Sequence, residues 1–172
     1  MNRILKEKII YKGRLLRFFV RKQKFPNGYV ADLEVVKHPG AVLITPFLTD
    51  EKIILISQYR PVIGKYIWEL PAGTFHKGEN ALLCARRELI EEVGYASSEW
   101  KKLGFIYPAP GYTDEKIIIF SAKKLKKVKT RREEDEVIRP KIFTKKEISR
   151  LLDSGRIVDA KTICALKLAG VC

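Results

Sequence analysis

A length of 172 residues suits one domain with a sizeable hydrophobic core. The composition is 46% hydrophobic, and no apolar run approaches the roughly 18 residues that span a bilayer, so we expect no membrane segment. The formal net charge of +14 is compatible with nucleic-acid binding, but lysines and arginines are spread along the chain and only residues 123–132 form a dense run. We therefore do not expect a nucleic acid as the main partner.

Cysteine and histidine usage limits the chemistry open to the chain. Cys84, Cys164 and Cys172 are odd in number and far apart, which indicates reduced thiols rather than a disulfide framework or a zinc site. His38 and His76 are the only two histidines, too few for a multi-histidine site, so any metal ion must be held by oxygen. The charged first eight residues do not resemble a secretory signal, and we expect a cytoplasmic location.

Several segments have the composition and period of β-strands. They are residues 15–25, 29–36, 41–47, 52–58, 105–107, 116–121 and 142–143. The turn Pro26-Asn27-Gly28 separates the first two and predicts an antiparallel hairpin. The third and fourth segments look buried. We expect residues 1–40 to form an N-terminal β region and residues 41–172 to form one compact unit.

Three segments have helical periodicity. The first is predicted over residues 79–93, with Gly94 as its C-terminal cap. Its apolar side consists of Leu82, Ala85, Leu89 and Val93. The other two are amphipathic and are predicted over residues 145–154 and 160–168. The fold class is therefore α/β, with a mixed β-sheet between helices.

The first helix also carries a cluster of carboxylates. On a helical wheel, Glu88, Glu91 and Glu92 occupy an arc of about 100°, opposite the apolar side. Like charges at this spacing disfavour a helix unless a cation sits among them or solvent screens them. The cluster is either a metal site or a solvated acidic face, and periodicity alone does not decide between the two.

Residues 73–95 resemble the Nudix box at every position. The pattern requires a glycine, five residues, a glutamate, seven residues, Arg-Glu, a bulky apolar residue, any residue, Glu-Glu, any residue, a glycine and a bulky apolar residue. This chain supplies Gly73, Glu79, Arg87-Glu88, Leu89, Glu91-Glu92, Gly94 and Tyr95, the last an aromatic where an aliphatic is usual. The resemblance implies the Nudix fold and hydrolysis of a pyrophosphate bond with Mg²⁺, or with Mn²⁺ in its place.

The resemblance also implies roles for individual residues of the box. The metal ligands would be the carbonyl oxygen of Ala72 and the carboxylates of Glu88, Glu91 and Glu92, which are the hard oxygen donors that Mg²⁺ prefers. Arg87 would pair with a box carboxylate and orient it rather than touch the substrate. Glu79 would belong to the same network.

Segments on both sides of the box are similar to those of ADP-ribose pyrophosphatases. They are residues 58–61, 68–73 and 107–115. Arg60 in the first segment would hold the substrate phosphates, and an ordinary surface arginine is the alternative. Pro110 lies fifteen residues beyond Tyr95, the spacing associated with ADP-ribose hydrolysis. The other substrate-binding residues implied by the resemblance are Phe18, His38 and Glu115.

An acidic run at residues 133–136 falls where these enzymes carry a mobile loop with a catalytic glutamate. Glu136 is our first candidate for the base that activates water, and Glu134 is the second. A solvated acidic loop is the alternative.

The resemblance predicts hydrolysis of ADP-ribose to AMP and ribose 5-phosphate by a homodimer that forms through the N-terminal region. One alternative is a Nudix hydrolase of another nucleoside diphosphate compound, such as a nucleotide sugar, NADH, a dinucleoside polyphosphate or a capped RNA end. The other is a non-enzymatic nucleotide sensor with the same fold.

Overall fold

The computed structural model describes residues 3–129 and 137–172. The chain divides into two units. One consists of residues 1–40 and 107–116, and the other of residues 41–106 and 117–172.

The first unit contains a three-stranded antiparallel sheet in the order β1-β2-β3. Its strands are β1 (Arg3–Lys12), β2 (Arg17–Lys24) and β3 (Val30–Lys37). The turn between β2 and β3 contains Gly28 at φ +88°, a conformation that favours glycine. This confirms the predicted hairpin, while β1 was not predicted. The segment 107–116 joins this unit, because the amide of Val36 donates a hydrogen bond to the carbonyl of Tyr112 (2.8 Å).

The second unit is built on a mixed sheet of seven strands. They are β4 (Ala41–Thr49), β5 (Lys52–Arg60), β6 (Lys65–Glu69), β7 (Ala72–Thr74), β8 (Tyr95–Ile106), β9 (Ile117–Lys127) and β10 (Ile138–Thr144). The main order is β10-β5-β4-β9-β8, with β6 paired to β5 and β7 paired to β4. β4 and β9 run parallel and the other pairs are antiparallel, which confirms the predicted mixed sheet.

Within the residues that the structure describes, three helices accompany this sheet. They are α1 (Ala81–Glu88), which continues as a π-helical turn over Leu89–Val93, α2 (Lys145–Asp153) and α3 (Ala160–Leu168). Asn80 caps α1 by accepting a hydrogen bond from the amide of Leu83 (3.0 Å), and Gly94 ends the π turn at φ 78°. The three predicted helices are confirmed. In the described part of the chain, no helix has the length and apolar character to cross a bilayer.

The core of the second unit lies on both faces of the sheet. Leu43 and Phe47 of β4 pack on one face with residues of α2 and α3. Residues of α1 and its π turn pack on the other face, and those that are buried there are Cys84, Ala85, Leu89 and Val93. Successive side chains of β4 point to opposite faces of the sheet, because a strand has a two-residue period. This alternation places helices on either side of the sheet, as predicted, and fixes α1 against the strands that carry the candidate site.

Candidate active site

Two buried carboxylates rest on one short stretch of backbone. Glu88 ends α1 and Glu92 lies in the π turn, and their exposed fractions are 7% and 1%. The Glu92 carboxylate accepts a hydrogen bond from the amide of Ala72 (2.9 Å). A Cβ atom built on Gly73 would lie 1.7 Å from Oε1 of Glu88, so the Glu88 carboxylate occupies the space that a side chain at Gly73 would fill. We call Ala72-Gly73 the carboxylate seat.

Glu92 lies in a π-helical turn and is buried there. A π-helix bonds residue i to residue i+5, and single π turns inside helices are rare and frequent at functional sites. In this turn Leu89, Glu92 and Val93 are all buried. The wider turn changes the periodicity after Glu88, so a wheel drawn at 100° per residue does not describe the last turn.

Arg87 links three carboxylates of the box. Its Nη1 donates to Oε1 of Glu88 (2.6 Å) and to Oε2 of Glu91 (2.9 Å), while its Nε donates to Oε1 of Glu79 (3.0 Å). Burial opposes the charge of Arg87, but its bonds to Glu79, Glu88 and Glu91 outweigh burial and raise its pKa. The hydrogen bond from Arg87 in turn lowers the pKa of Glu79 to about 2. Arg87 is therefore charged at neutral pH and holds Glu88 and Glu91 side by side.

The burial of Glu88 and Glu92 does not fit a solvated acidic face, which was the alternative for this cluster. Among the residues that the structure describes, however, no three histidine, cysteine or acidic side chains are spaced so as to hold a metal ion. The contacts give the reason. The Arg87 guanidinium binds both Glu88 and Glu91, and the Glu92 carboxylate turns toward the amide of Ala72.

A second ion-pair network lies at the end of β6, three residues before the seat. Arg60 donates through Nε and Nη2 to both oxygens of Glu69 (2.6 and 2.7 Å), and Lys161 also binds this carboxylate. Glu69 is fully buried. Burial acts to raise the pKa of Glu69, but the bonds from Arg60 and Lys161 outweigh it and lower that pKa. Arg60, which we predicted to hold the substrate phosphates, is thus fixed by a bidentate ion pair. The sequence did not reveal that Glu69 is its partner.

Comparisons with known proteins show the family to which the chain belongs. Residues 37–166 match the NUDIX domain family. The chain belongs to the NUDIX family. It is 36% identical over 166 residues to the ADP-ribose pyrophosphatase of Bacillus subtilis, a match that covers 95% of this chain and 89% of that protein. It is 35% identical over 168 residues to the methanol dehydrogenase activator of Bacillus methanolicus, covering 96% and 91%. A solved structure described as an ADP compounds hydrolase superposes with a TM-score of 0.84 at 26% identity, covering 97% and 91%.

These matches confirm the resemblance to the Nudix box, and the chain is a Nudix hydrolase. Nudix hydrolases generally need a divalent metal ion. The side chains around the carboxylate seat suit a hard cation, because Glu88, Glu91 and Glu92 offer only oxygen donors. Cys84 does not change this, since burial raises the pKa of its thiol to about 12 and keeps it protonated.

Two of the predicted substrate-binding residues of this Nudix hydrolase meet in the first unit. Nδ1 of His38 lies 3.8 Å from Oε1 of Glu115 and accepts a hydrogen bond from the amide of Gly40 (3.0 Å). Phe18 is half-buried in β2, opposite Val36 of β3. Pro110 is exposed in a turn within the segment 107–115. The structure thus brings His38 and Glu115 together.

The candidate bases, Glu134 and Glu136, lie outside the described residues. The described chain resumes at Val137, whose carbonyl accepts a hydrogen bond from the amide of Tyr59 (3.2 Å). Tyr59 precedes Arg60 in β5. The residue that follows the acidic run is therefore attached to β5 next to the Arg60–Glu69 ion pair.

A cavity of about 320 Å³ lies on the face of the sheet that packs against α2 and α3. Its walls include Phe47, Leu103 and Leu168 together with Lys101, Lys123 and Lys145. None of the predicted site residues lines it, so it is separate from the carboxylate seat.

Proposed function

We propose that the chain hydrolyses the pyrophosphate bond of ADP-ribose to AMP and ribose 5-phosphate in the presence of Mg²⁺, with Mn²⁺ as a substitute. The proposal is carried by the two buried carboxylates of Glu88 and Glu92 on the backbone of Ala72 and Gly73. It is supported by the relatives, because one that matches nearly the full chain is an ADP-ribose pyrophosphatase and the structural neighbour is an ADP compounds hydrolase.

The box residues would divide the work as follows. Glu88 and Glu92 would hold the cation, with Glu91 and the Ala72 carbonyl as further donors. Bound Mg²⁺ would neutralise negative charge on the pyrophosphate oxygens. Arg87 keeps Glu88 and Glu91 in place through its two short bonds and is not required to touch the substrate.

The hydrolytic step needs a base and a phosphate anchor. Glu136, or Glu134 in its place, would accept a proton from the attacking water as the new phosphorus–oxygen bond forms. The bridging phosphorus–oxygen bond breaks, and the leaving phosphate takes the electron pair. Arg60 would hold the phosphates, since Glu69 fixes its guanidinium through two of its nitrogens. Phe18, His38, Pro110 and Glu115 would bind the nucleoside part.

We also propose a homodimer that forms through the first unit. β1 exposes five apolar side chains, a pattern that favours burial against another surface. They are Ile4, Leu5, Ile9, Ile10 and Tyr11. Light scattering after gel filtration would give twice 19.8 kDa for a dimer and 19.8 kDa if the proposal is wrong. The free cysteines support a cytoplasmic location for this enzyme.

The substrate is tested with a panel of pyrophosphate compounds at equal concentration with Mg²⁺. The panel contains ADP-ribose, a nucleotide sugar, NADH, a dinucleoside polyphosphate and a capped RNA, and chromatography identifies the products. We expect the highest kcat/KM for ADP-ribose, with AMP and ribose 5-phosphate in equal amounts. A higher kcat/KM for another compound would overturn the substrate, and binding without hydrolysis of any compound would favour a nucleotide sensor.

A second candidate function is the activation of a dehydrogenase. It is favoured by the methanol dehydrogenase activator, whose identity and coverage nearly equal those of the ADP-ribose pyrophosphatase. Turnover of purified methanol dehydrogenase is measured with and without the chain. A stimulation that disappears when Glu92 is replaced by Gln would support this candidate, and unchanged turnover would reject it.

A further inference from the structure

We infer that the first turn of α3 positions the carboxylate seat, with Lys161 and Thr162 as positioning residues for the reaction. The inference rests on the proposed function for the role of Glu88 and Glu92. It concerns how residues about 90 positions further along the chain hold the backbone on which those carboxylates rest.

Thr162 connects the cap of α3 to the backbone just before the seat. Its side chain is fully buried. The hydroxyl donates a hydrogen bond to the Asp159 carboxylate (2.6 Å) and accepts one from the amide of Leu70 (2.8 Å). Asp159 is the N-cap of α3 and also accepts a hydrogen bond from the amide of Thr162 (3.0 Å). Because the hydroxyl hydrogen of Thr162 is bonded to Asp159, a lone pair of the Thr162 oxygen is directed toward the amide of Leu70.

Lys161 makes the parallel connection one residue earlier. Its ammonium binds the buried carboxylate of Glu69 and the carboxylate of Asp159 (2.8 Å). Two consecutive residues of α3 therefore hold the last residue of β6, Glu69, and the residue that follows it, Leu70. Both connections share Asp159, so they fix the seat to the same helix end.

The distance along the chain from these contacts to the seat is short. Leu70 is followed by Pro71, whose ring restricts φ, and then by Ala72 and Gly73. A shift of the backbone at Leu70 would thus be passed on to the amide of Ala72, which binds Glu92, and to Gly73, which lies under Glu88.

The network also bears on Arg60. Glu69 binds Arg60 and Lys161 together, and the pKa of Arg60 is raised first by its bond to Glu69 and in smaller part by the charges of Glu92 and Asp159. The turn of α3 therefore acts on both the proposed metal ligands and the proposed phosphate anchor. A buried apolar contact would hold a helix on a sheet equally well, whereas this polar network gives the seat a defined position.

The alternative is that the network only stabilises the fold, since β7 also pairs with β4 and holds the seat from that side. Three variants distinguish a positioning role from a purely stabilising one. Thr162→Val removes the hydroxyl and Thr162→Ser keeps it. Cys164→Ser is a control at an exposed position of the same helix. The dissociation constant for Mn²⁺ is measured by electron paramagnetic resonance without substrate. Tm is measured in EDTA, and kcat and KM for ADP-ribose are measured well below the lowest Tm.

We expect Thr162→Val to raise the dissociation constant for Mn²⁺ about tenfold and to lower kcat about tenfold. This is the lower end of the roughly 10–100-fold losses that follow changes in the residues that support metal ligands. Thr162→Ser and Cys164→Ser should stay within about twofold of the unchanged protein. A Thr162→Val variant with a lower Tm but unchanged Mn²⁺ affinity and kcat would overturn the inference. If that variant does not fold, Lys161→Met and Lys161→Arg decide in the same way, with loss expected for Met and retention for Arg. Failure of the proposed function gives a different result: the unchanged protein would not hydrolyse ADP-ribose. The Mn²⁺ affinities of the unchanged protein and its variants could still be compared, so the inference would still be tested.

Discussion

Replacing Gly73 by Ala tests the seat with a single methyl group. The new Cβ would lie 1.7 Å from Oε1 of Glu88, far inside the ordinary contact range of 3.4–4 Å. The carboxylate is the end of a flexible side chain and must retreat by more than about 1 Å, a misplacement that can cost about 100-fold in rate. That loss corresponds to about 2.7 kcal/mol of transition-state stabilisation.

The same substitution should leave the fold nearly as stable. Alanine at a compatible backbone position stabilises by about 0.4–1 kcal/mol, because it restricts the unfolded chain. Disturbing the bond from Arg87 to Glu88 costs about 1.5–3 kcal/mol at most, and Arg87 keeps its bonds to Glu79 and Glu91. We therefore expect kcat for ADP-ribose to fall about 100-fold, while the free energy of unfolding in urea falls by less than about 3 kcal/mol.

Gly78→Ala is the matched control for Gly73→Ala. A Cβ at Gly78 would meet nothing within 4 Å, but the residue sits at φ +79°, which is strained for alanine. We expect this variant to lose about 1 kcal/mol of stability and to keep kcat within about twofold. Hydrolysis of ADP-ribose by Gly73→Ala at a rate close to that of the unchanged protein would contradict the proposed role of Glu88.

Three further predictions concern the box and its support. Glu92→Gln should lower kcat about 100-fold or more, because the substitution removes the buried charge that we propose binds the metal ion, and near-normal turnover with Mg²⁺ would contradict this role. Glu79 has a pKa lowered to about 2 by Arg87, so its stabilising effect is present above pH 4.5 and is lost as pH falls toward 2. The free energy of unfolding in urea should therefore fall over that pH range by about 1–2 kcal/mol more in the unchanged protein than in Glu79→Gln, after allowance for solvent screening. An equal dependence of this free energy on pH in the two proteins would contradict the ion pair. Replacing Leu89, which is fully buried in the π turn that continues α1, by Ala should lower the free energy of unfolding by about 2–5 kcal/mol, and a change below about 1 kcal/mol would contradict its core position.

Local signals explain what the sequence predicted well. Asn80 and Gly94 mark the two ends of the first helix, and the apolar period between them predicts the face that packs on the sheet. The buried runs of β4 and β5 and the turn at Gly28 were equally visible, because each depends on neighbouring residues.

Strands β1, β6 and β7 were not predicted, and β8 was predicted only near its end, as residues 105–107. Every residue of β1 is exposed, so its sequence lacks the alternation of a half-buried strand. β8 lies at the end of the strand order, and its first part, residues 95–103, is largely polar. β1 and β8 each pair with the next strand along the chain, β2 and β9, and the periodicity of a single strand does not reveal such pairing.

The sequence suggested candidate site residues, whose roles stay predictions, and it did not suggest their arrangement. The box spacing identified Glu88 and Glu92, yet nothing in the sequence marks the π turn that accompanies the burial of Glu92. The bond from Lys161 to Glu69 joins residues 92 positions apart and depends on how α3 meets the end of β6. Such contacts follow from tertiary packing, so they become visible only in the folded chain.

The central claim is that Glu88 and Glu92 together hold a divalent cation beside Ala72-Gly73. The most direct measurement is an anomalous-difference map from a crystal of the protein soaked with Mn²⁺. The account predicts a peak within about 2–2.5 Å of an oxygen of each carboxylate, the range of ordinary metal–oxygen bonds. A map without a peak there, with the two side chains directed apart, would contradict it.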